Sequence, residues 1–242
     1  MFCWPRICCG DGRTPLPTGR KPILCYVTDR RAFEIAPIAP DSPAGYPAPL
    51  RAHSLRDSIR GATAAGAGWI QIREKDLETR ALLDLARFAV AETRRTSARV
   101  LVNDRLDIAL AANAAGVHLG EKSLPLEEVT EWRRSTGRLD FLIGVSCHSL
   151  ESALAAEQGE ADYIFFGPVF ATPSKAEFGA PQGIERLQEV CASVEIPVLA
   201  IGGVNAGNAR ACITAGAAGI AAIRLFQDPA DSAKLAARLK AI

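Results

Sequence analysis

Phe166–Gly183, FGPVFATPSKAEFGAPQG, gathers more usable chemistry than any other stretch of the 242-residue chain. It follows an apolar, strand-like run, Asp162–Phe166, and puts Thr172, Ser174 and Lys175 into one long loop. Prolines at 168, 173 and 181 break any backbone ladder there and leave N–H groups free. Two hydroxyls, a cation and free amides suit phosphate oxygens. A loop of that length calls for function or disorder to explain it. Farther on, a second strand-like run, Pro197–Ile201, leads straight into Gly202 and Gly203, where backbone can approach an anion closely. Together the two loops point to a small phosphorylated substrate.

Other polar clusters end other apolar runs. Trp69–Arg73 closes in Gln71, Arg73 and Lys75, which strand alternation places on one inward face as an anion site. The plainer alternative pairs Arg73 with Glu74 and leaves Lys75 solvated. Asn103-Asp104 suits Mg²⁺ or a substrate amino group, or Asp104 caps the following helix; spacing leaves both open. His118 reads as a core histidine satisfied by backbone, and Glu121 as the carboxylate able to face Asp104 across a metal. Ser146-Cys147-His148-Ser149 ends a further run: His148 is placed to shuttle protons near neutrality, and Ser149 to cap the next helix. Nothing nearby would activate Cys147, and no GxSxG elbow supports a hydrolase triad. Ile223 and Arg224 end the last run, where Arg224 closes a phosphate site or pairs on the rim.

These clusters need a scaffold that brings many strand ends together. Strand-like runs occur at Ile23–Thr28, Trp69–Arg73, Arg99–Asn103, Gly116–Leu119, Leu142–Ser146, Asp162–Phe166, Pro197–Ile201 and Gly219–Ile223. Helical stretches rich in Ala, Leu, Glu and Arg separate them: Leu50–Ala65, Arg80–Thr96, Arg105–Ala115, Pro125–Ser135, Leu150–Gln158, Ile184–Ser193 and Asn208–Ala215. Asp231–Ile242 reads as a closing amphipathic helix. The strands are apolar on both faces, as parallel strands covered by helices are. Eight such units predict a single (β/α)8 barrel over residues 22–242, with a doubly wound open sheet as the alternative. Residues 1–21 read as a disordered tail. A proline-rich insert at 36–49 cannot be regular helix or central strand and reads as a lid over the first strand or a disordered excursion.

Composition excludes several classes. With 48% hydrophobic and 23% charged residues the chain is an ordinary globular one, and a net charge of +1 argues against nucleic acid or an anionic membrane surface. No apolar run approaches membrane-span length. Seven cysteines, an odd number crowded into the tail or buried in apolar runs, together with no evident signal peptide, point to a reduced cytoplasmic setting.

With these segments in order, the chain resembles the thiamine phosphate synthases and their TenI-type relatives, the thiazole tautomerases. The resemblance rests on YVTDR (26–30), QIREKD (71–76), LVNDRLDIAL (101–110), GVHLGEKSLP (116–125), IGVSCHS (143–149), ADYIFFGPVF with TPSK (161–175) and PVLAIGGV (197–204). It spans 23–226 and implies a barrel enzyme joining hydroxymethylpyrimidine diphosphate to thiazole phosphate with loss of pyrophosphate. It assigns Gln71, Arg73, Lys75 and Asn103 to the pyrimidine diphosphate, and Lys175, Thr172 and Ser174 to the leaving group and loop. Gly202, Gly203, Ile223 and Arg224 fall to the thiazole phosphate, and Ser146 to substrate binding. Mg²⁺ is implied on Asp104, but synthases usually carry a second aspartate where this chain has Ser123, which leaves Glu121 as the other candidate ligand. A small serine is typical where Arg224 stands. His148 matches the acid/base histidine of the metal-free tautomerases, which is the alternative reading. A third is a regulator that binds a phosphorylated ligand without turning it over. The family's barrels are often homo-oligomers.

Overall fold

The computed structural model describes residues 21–33, 55–172 and 180–226. Eight strands close a parallel barrel in sequence order, each paired with its neighbours and β8 returning to β1. They are β1 (Ile23–Val27), β2 (Trp69–Ile72), β3 (Arg99–Asn103), β4 (Gly116–Leu119), β5 (Leu142–Cys147), β6 (Tyr163–Phe166), β7 (Val198–Ile201) and β8 (Gly219–Ala222). Between them run α1 (Leu55–Ala64), α2 (Thr79–Thr93), α3 (Leu106–Ala111), α4 (Leu126–Ser135), α5 (Leu150–Gln158), α6 (Gly183–Ser193) and α7 (Ala209–Thr214). The closed barrel, not the open sheet, is the architecture. Element ends move by a few residues from the periodicity reading; β5, for instance, extends one residue to Cys147. The tail before residue 21, the proline-rich insert and the expected closing helix lie outside the described residues.

Two apolar clusters explain why the strands are apolar on both faces. The larger joins strand residues such as Ile70, Val102, Ile143 and Ile220 to helix residues such as Ile59, Leu82, Val129 and Leu187. The smaller contains no helix residue: Cys25, Val27, Leu101, Tyr163, Phe165, Leu199 and Ala221, with Trp69, Leu142, Ile201 and Ile223 against it. It is the barrel interior, filled by side chains as such interiors are. Alternation from these positions turns Gln71, Asn103, His118 and Ser146 inward as well.

Local signals hold the helices at their strands. Ser149 caps α5 in a capping box with Ser152, as its position before an apolar run suggests. In α4, Glu127 and Glu128 sit in the first turn and Arg133 and Arg134 in the last, each complementing the helix dipole. Arg133 is buried and pairs with Asp162 at 2.5 Å, while Asp162 also accepts the Ile143 N–H at 2.7 Å. That strut ties α4 to the lower ends of β5 and β6, away from the carboxyl ends that carry the site.

Candidate active site

Gln71 is buried and donates through Nε2 to Asn103 Oδ1 at 2.9 Å. Asn103 in turn donates through Nδ2 to Asp104 Oδ2 at 2.5 Å. The three side chains form one polar chain across the ends of β2 and β3. Gln71 Oε1 is buried with no hydrogen-bond partner among the described residues. Such a group is costly to leave unpaired.

Asp104 is not the cap of α3; Arg105 occupies that position, without a side-chain bond. Instead Asp104 adopts φ 62, a left-handed conformation uncommon for a residue with a side chain. Its Oδ1 accepts from the Ser123 hydroxyl and more weakly from the Gly120 N–H at 3.4 Å. Gly120 N–H also donates to Ser123 Oγ at 2.6 Å. Ser123 therefore meets Asp104 where a second carboxylate was sought. Glu121 is exposed, and its recorded partner is His148, Oε1 to Nε2 at 3.7 Å.

His148 donates through Nδ1 to the carbonyl of Gly167, which leaves Nε2 as the nitrogen able to take or release a proton. His118 points into the barrel as expected, but side chains satisfy it rather than backbone. Its Nδ1 lies 3.1 Å from the Tyr163 hydroxyl and its Nε2 2.9 Å from Ser146 Oγ. Burial, and secondarily the charge of Arg73, pushes the His118 pKa down to about 3, so the ring is neutral.

Arg73 is half-buried and Lys75 exposed at the end of β2. Arg73 does not pair with Glu74. The buried Glu74 accepts from Arg30 instead, from its backbone N–H at 3.2 Å and from Nη1 at 3.3 Å. Arg30 also grips Asp76 with two bonds of 2.5 and 2.7 Å, and Arg31 reaches the same carboxylate at 2.5 Å. These pairs hold the Asp76 carboxyl below the usual range. The Arg73 N–H donates to the buried Thr28 hydroxyl at 2.8 Å. The β1 and β2 loops are thus latched together, and both acidic groups are consumed by the latch. Arg73 and Lys75 have no ion-pair partner among the described residues and remain available to an anion.

Across the barrel mouth, Gly202 and Gly203 have φ 91 and 66, and a side chain at either would collide with Pro168 or Ala171. The β6 and β7 loops therefore run in contact. Val169 and Phe170 donate to Ile201 and Gly202 at 2.9 and 3.0 Å, and the loop returns through Gln182 and Gly183 onto Pro168 and Val169 at 2.8 and 3.0 Å. Thr172 lies at the edge of the described loop; Ser174 and Lys175 lie outside it. Ile223 lines the interior and Arg224 is exposed in a one-turn 3-10 segment after β8. Cys147 is buried, with its thiol pushed up to about 11 by desolvation, so it is no nucleophile.

The latch, the His118 partners and the Ser123–Asp104 contact were not read from sequence. Only Gly144 carried a signal for any of them, because a glycine inside a strand marks close approach by a neighbour.

Fold and site together define a (β/α)8 barrel with its polar groups gathered at the carboxyl ends of the strands, where such barrels carry out their chemistry. The chain belongs to the TMP-TENI family, thiamine monophosphate synthase, whose model matches residues 47–226. A relative from Geobacter sulfurreducens is 49% identical over 172 residues, 71% of this chain and 79% of its own. A thiamine-phosphate synthase from Moorella thermoacetica is 43% identical over 184 residues, 76% of this chain and 86% of its own. A solved thiamine phosphate pyrophosphorylase from Pyrococcus furiosus matches with a TM-score of 0.74 and 33% identity, over 90% of this chain and 96% of that one.

Proposed function

We propose that this chain is a thiamine-phosphate synthase, joining hydroxymethylpyrimidine diphosphate to thiazole phosphate, or to its carboxylate with loss of carbon dioxide, and releasing pyrophosphate. The observation that carries this is the polar chain Gln71–Asn103–Asp104, with its buried, unpaired Gln71 Oε1, near the uncommitted cations Arg73 and Lys75. An enzyme with no aminopyrimidine diphosphate to bind has little use for that set. Gln71 Oε1 accepts from the ring amine, Asn103 holds the neighbouring edge, and Arg73 and Lys75 hold the diphosphate. Lys175, Thr172 and Ser174 meet the leaving group from the β6 loop. Gly202, Gly203, Ile223 and Arg224 surround the thiazole phosphate, and Ser146 faces the ring.

The bond from the pyrimidine methylene to oxygen breaks, and its electron pair leaves with pyrophosphate. The thiazole nitrogen then attacks the cationic methylene. Fixed cations stabilise the charge that develops on the leaving group. Mg²⁺ binds through one or two carboxylates plus substrate phosphates, so Asp104 would hold it, although the Ser123 hydroxyl now donates to Asp104 where a second carboxylate would stand. When bound, Mg²⁺ supplies Lewis-acid neutralisation of the diphosphate. Glu121, exposed and 3.7 Å from His148 Nε2, is the other candidate ligand.

One observation favours a second reading. His148, anchored by Gly167 with Nε2 toward Glu121, is arranged for proton transfer, as a metal-free tautomerase requires. No described helix is long and apolar enough to cross a membrane. A cytoplasmic location and a homo-oligomer fit the family reading.

The test supplies both ring halves with Mg²⁺ and follows thiamine phosphate and pyrophosphate, while a parallel reaction in EDTA follows aromatisation of the non-aromatic thiazole. Metal-dependent coupling is the expected result. Aromatisation in EDTA without coupling would replace the synthase by the tautomerase, and tight binding with neither reaction would leave a ligand-binding regulator.

A further inference from the structure

Tyr163, His118 and Ser146 stand on three consecutive positions around the barrel wall, β6, β4 and β5, and meet inside it. His118 and Tyr163 flank Gly144 in register across β4, β5 and β6. A side chain at 144 would lie 2.0 Å from the Tyr163 ring and 2.3 Å from its hydroxyl, so the glycine is what lets Tyr163 reach His118. Both residues are buried, and Phe165 closes the other side of the imidazole with its centroid at 4.2 Å.

The direction of this chain follows from counting hydrogens. A neutral imidazole has one N–H and one lone pair. Suppose first that the Tyr163 hydroxyl donates to Nδ1. Nε2–H then donates to Ser146 Oγ, every buried hydrogen has an acceptor, and the Ser146 proton is left over. In the opposite arrangement Nδ1–H donates to Tyr163, whose own proton has no acceptor among the described residues. A buried donor left unpaired suppresses that arrangement by roughly ten-fold or more.

We propose that Tyr163 and His118 are positioning residues that hold the Ser146 hydroxyl as a hydrogen-bond donor toward the substrate. Resting on the synthase reading, this deepens it: the atom facing Ser146 is an unprotonated ring nitrogen, and a ring presenting N–H there is rejected. Gln71 Oε1, an unpaired acceptor at the end of β2, offers the complementary polarity for a ring amine.

Nitrogen-15 NMR of the ligand-free protein, labelled at histidine, tests the direction without any activity. The chain has three histidines, so His53→Gln and His148→Gln variants assign the signals. His118 is expected with a pyridine-type Nδ1 and a protonated, pyrrole-type Nε2 at neutral pH. A protonated Nδ1, or an imidazolium, would overturn the proposal whatever the enzyme makes. Tyr163→Phe, which removes only the hydroxyl, is expected to mix the two tautomers and raise KM for the pyrimidine diphosphate about ten-fold. The KM for thiazole phosphate should hold. An unchanged tautomer and KM in that variant would also defeat it. Should the wild-type protein show the expected tautomer yet form no thiamine phosphate, the synthase reading fails and the hydrogen-bond direction stands.

Discussion

Gln71 and Ser123 are the residues at which function and stability separate most clearly. Gln71 carries a buried acceptor that nothing in the described protein satisfies, the group that the synthase reading gives to the ring amine. Gln71→Met keeps the volume and removes the orphan acceptor together with the donor to Asn103, two stability effects of opposite sign. It is expected to lower kcat/KM at least ~10-fold with the melting temperature little changed; a large loss of stability at full activity would reverse the assignment. Ser123 neutralises nothing, but its hydroxyl satisfies Asp104 without a metal. Ser123→Asp sets two carboxylates together. In EDTA the variant should melt below the wild type, and Mg²⁺ at a hundred times its Kd should restore about 2.7 kcal/mol. Thermal melts at graded Mg²⁺ check this, and a variant indifferent to the ion would show that the β3 and β4 ends do not form its site.

Among the elements, β5 is tightly constrained at its centre. Its Gly144 faces a Tyr163 ring that fills the space a side chain would need. Gly144→Ala must displace that ring in a close-packed interior, at a cost of about 1–3 kcal/mol. Urea unfolding should show a lower midpoint at an unchanged slope. A wild-type midpoint would mean that the barrel interior yields more readily than its contacts suggest. The β1 and β2 loops are constrained differently, by the charges of Arg30, Glu74 and Asp76 rather than by volume. Their latch leaves Arg73 and Lys75 without an ion-pair partner among the described residues.

For the whole molecule, acid stability should bear the mark of one buried imidazole. The pKa of His118 is pushed down to about 3 by burial and then by Arg73, against about 6.5 in an unfolded chain. As pH falls, the unfolded chain takes the proton first. The contribution is therefore fully present above about 6.5 and is lost progressively down to about 3. Between pH 7 and pH 5 it should cost about 2 kcal/mol. Unfolding free energies in EDTA across that interval should fall less steeply in His118→Gln than in the wild type. Equal slopes would show that His118 is solvated or charged in the folded state.

Sequence alone determined the order and number of strands and which end carries polar side chains. Short continuous apolar runs ending in QIREK, ND and GG are local properties of the chain, and they survive any packing that keeps the strands parallel. It also placed Gln71, Asn103 and His148 at strand ends. It could not assign partners. Glu74 turned to Arg30, 44 residues away, rather than to its neighbour Arg73. His118 found Ser146 and Tyr163, 28 and 45 residues on, and Ser123 rather than Glu121 met Asp104. Such choices depend on barrel closure and register, which decide the side chains that share a level of the interior. They depend also on a left-handed Asp104 that turns its carboxylate toward β4. No local pattern encodes those distances; only the closed sheet creates them.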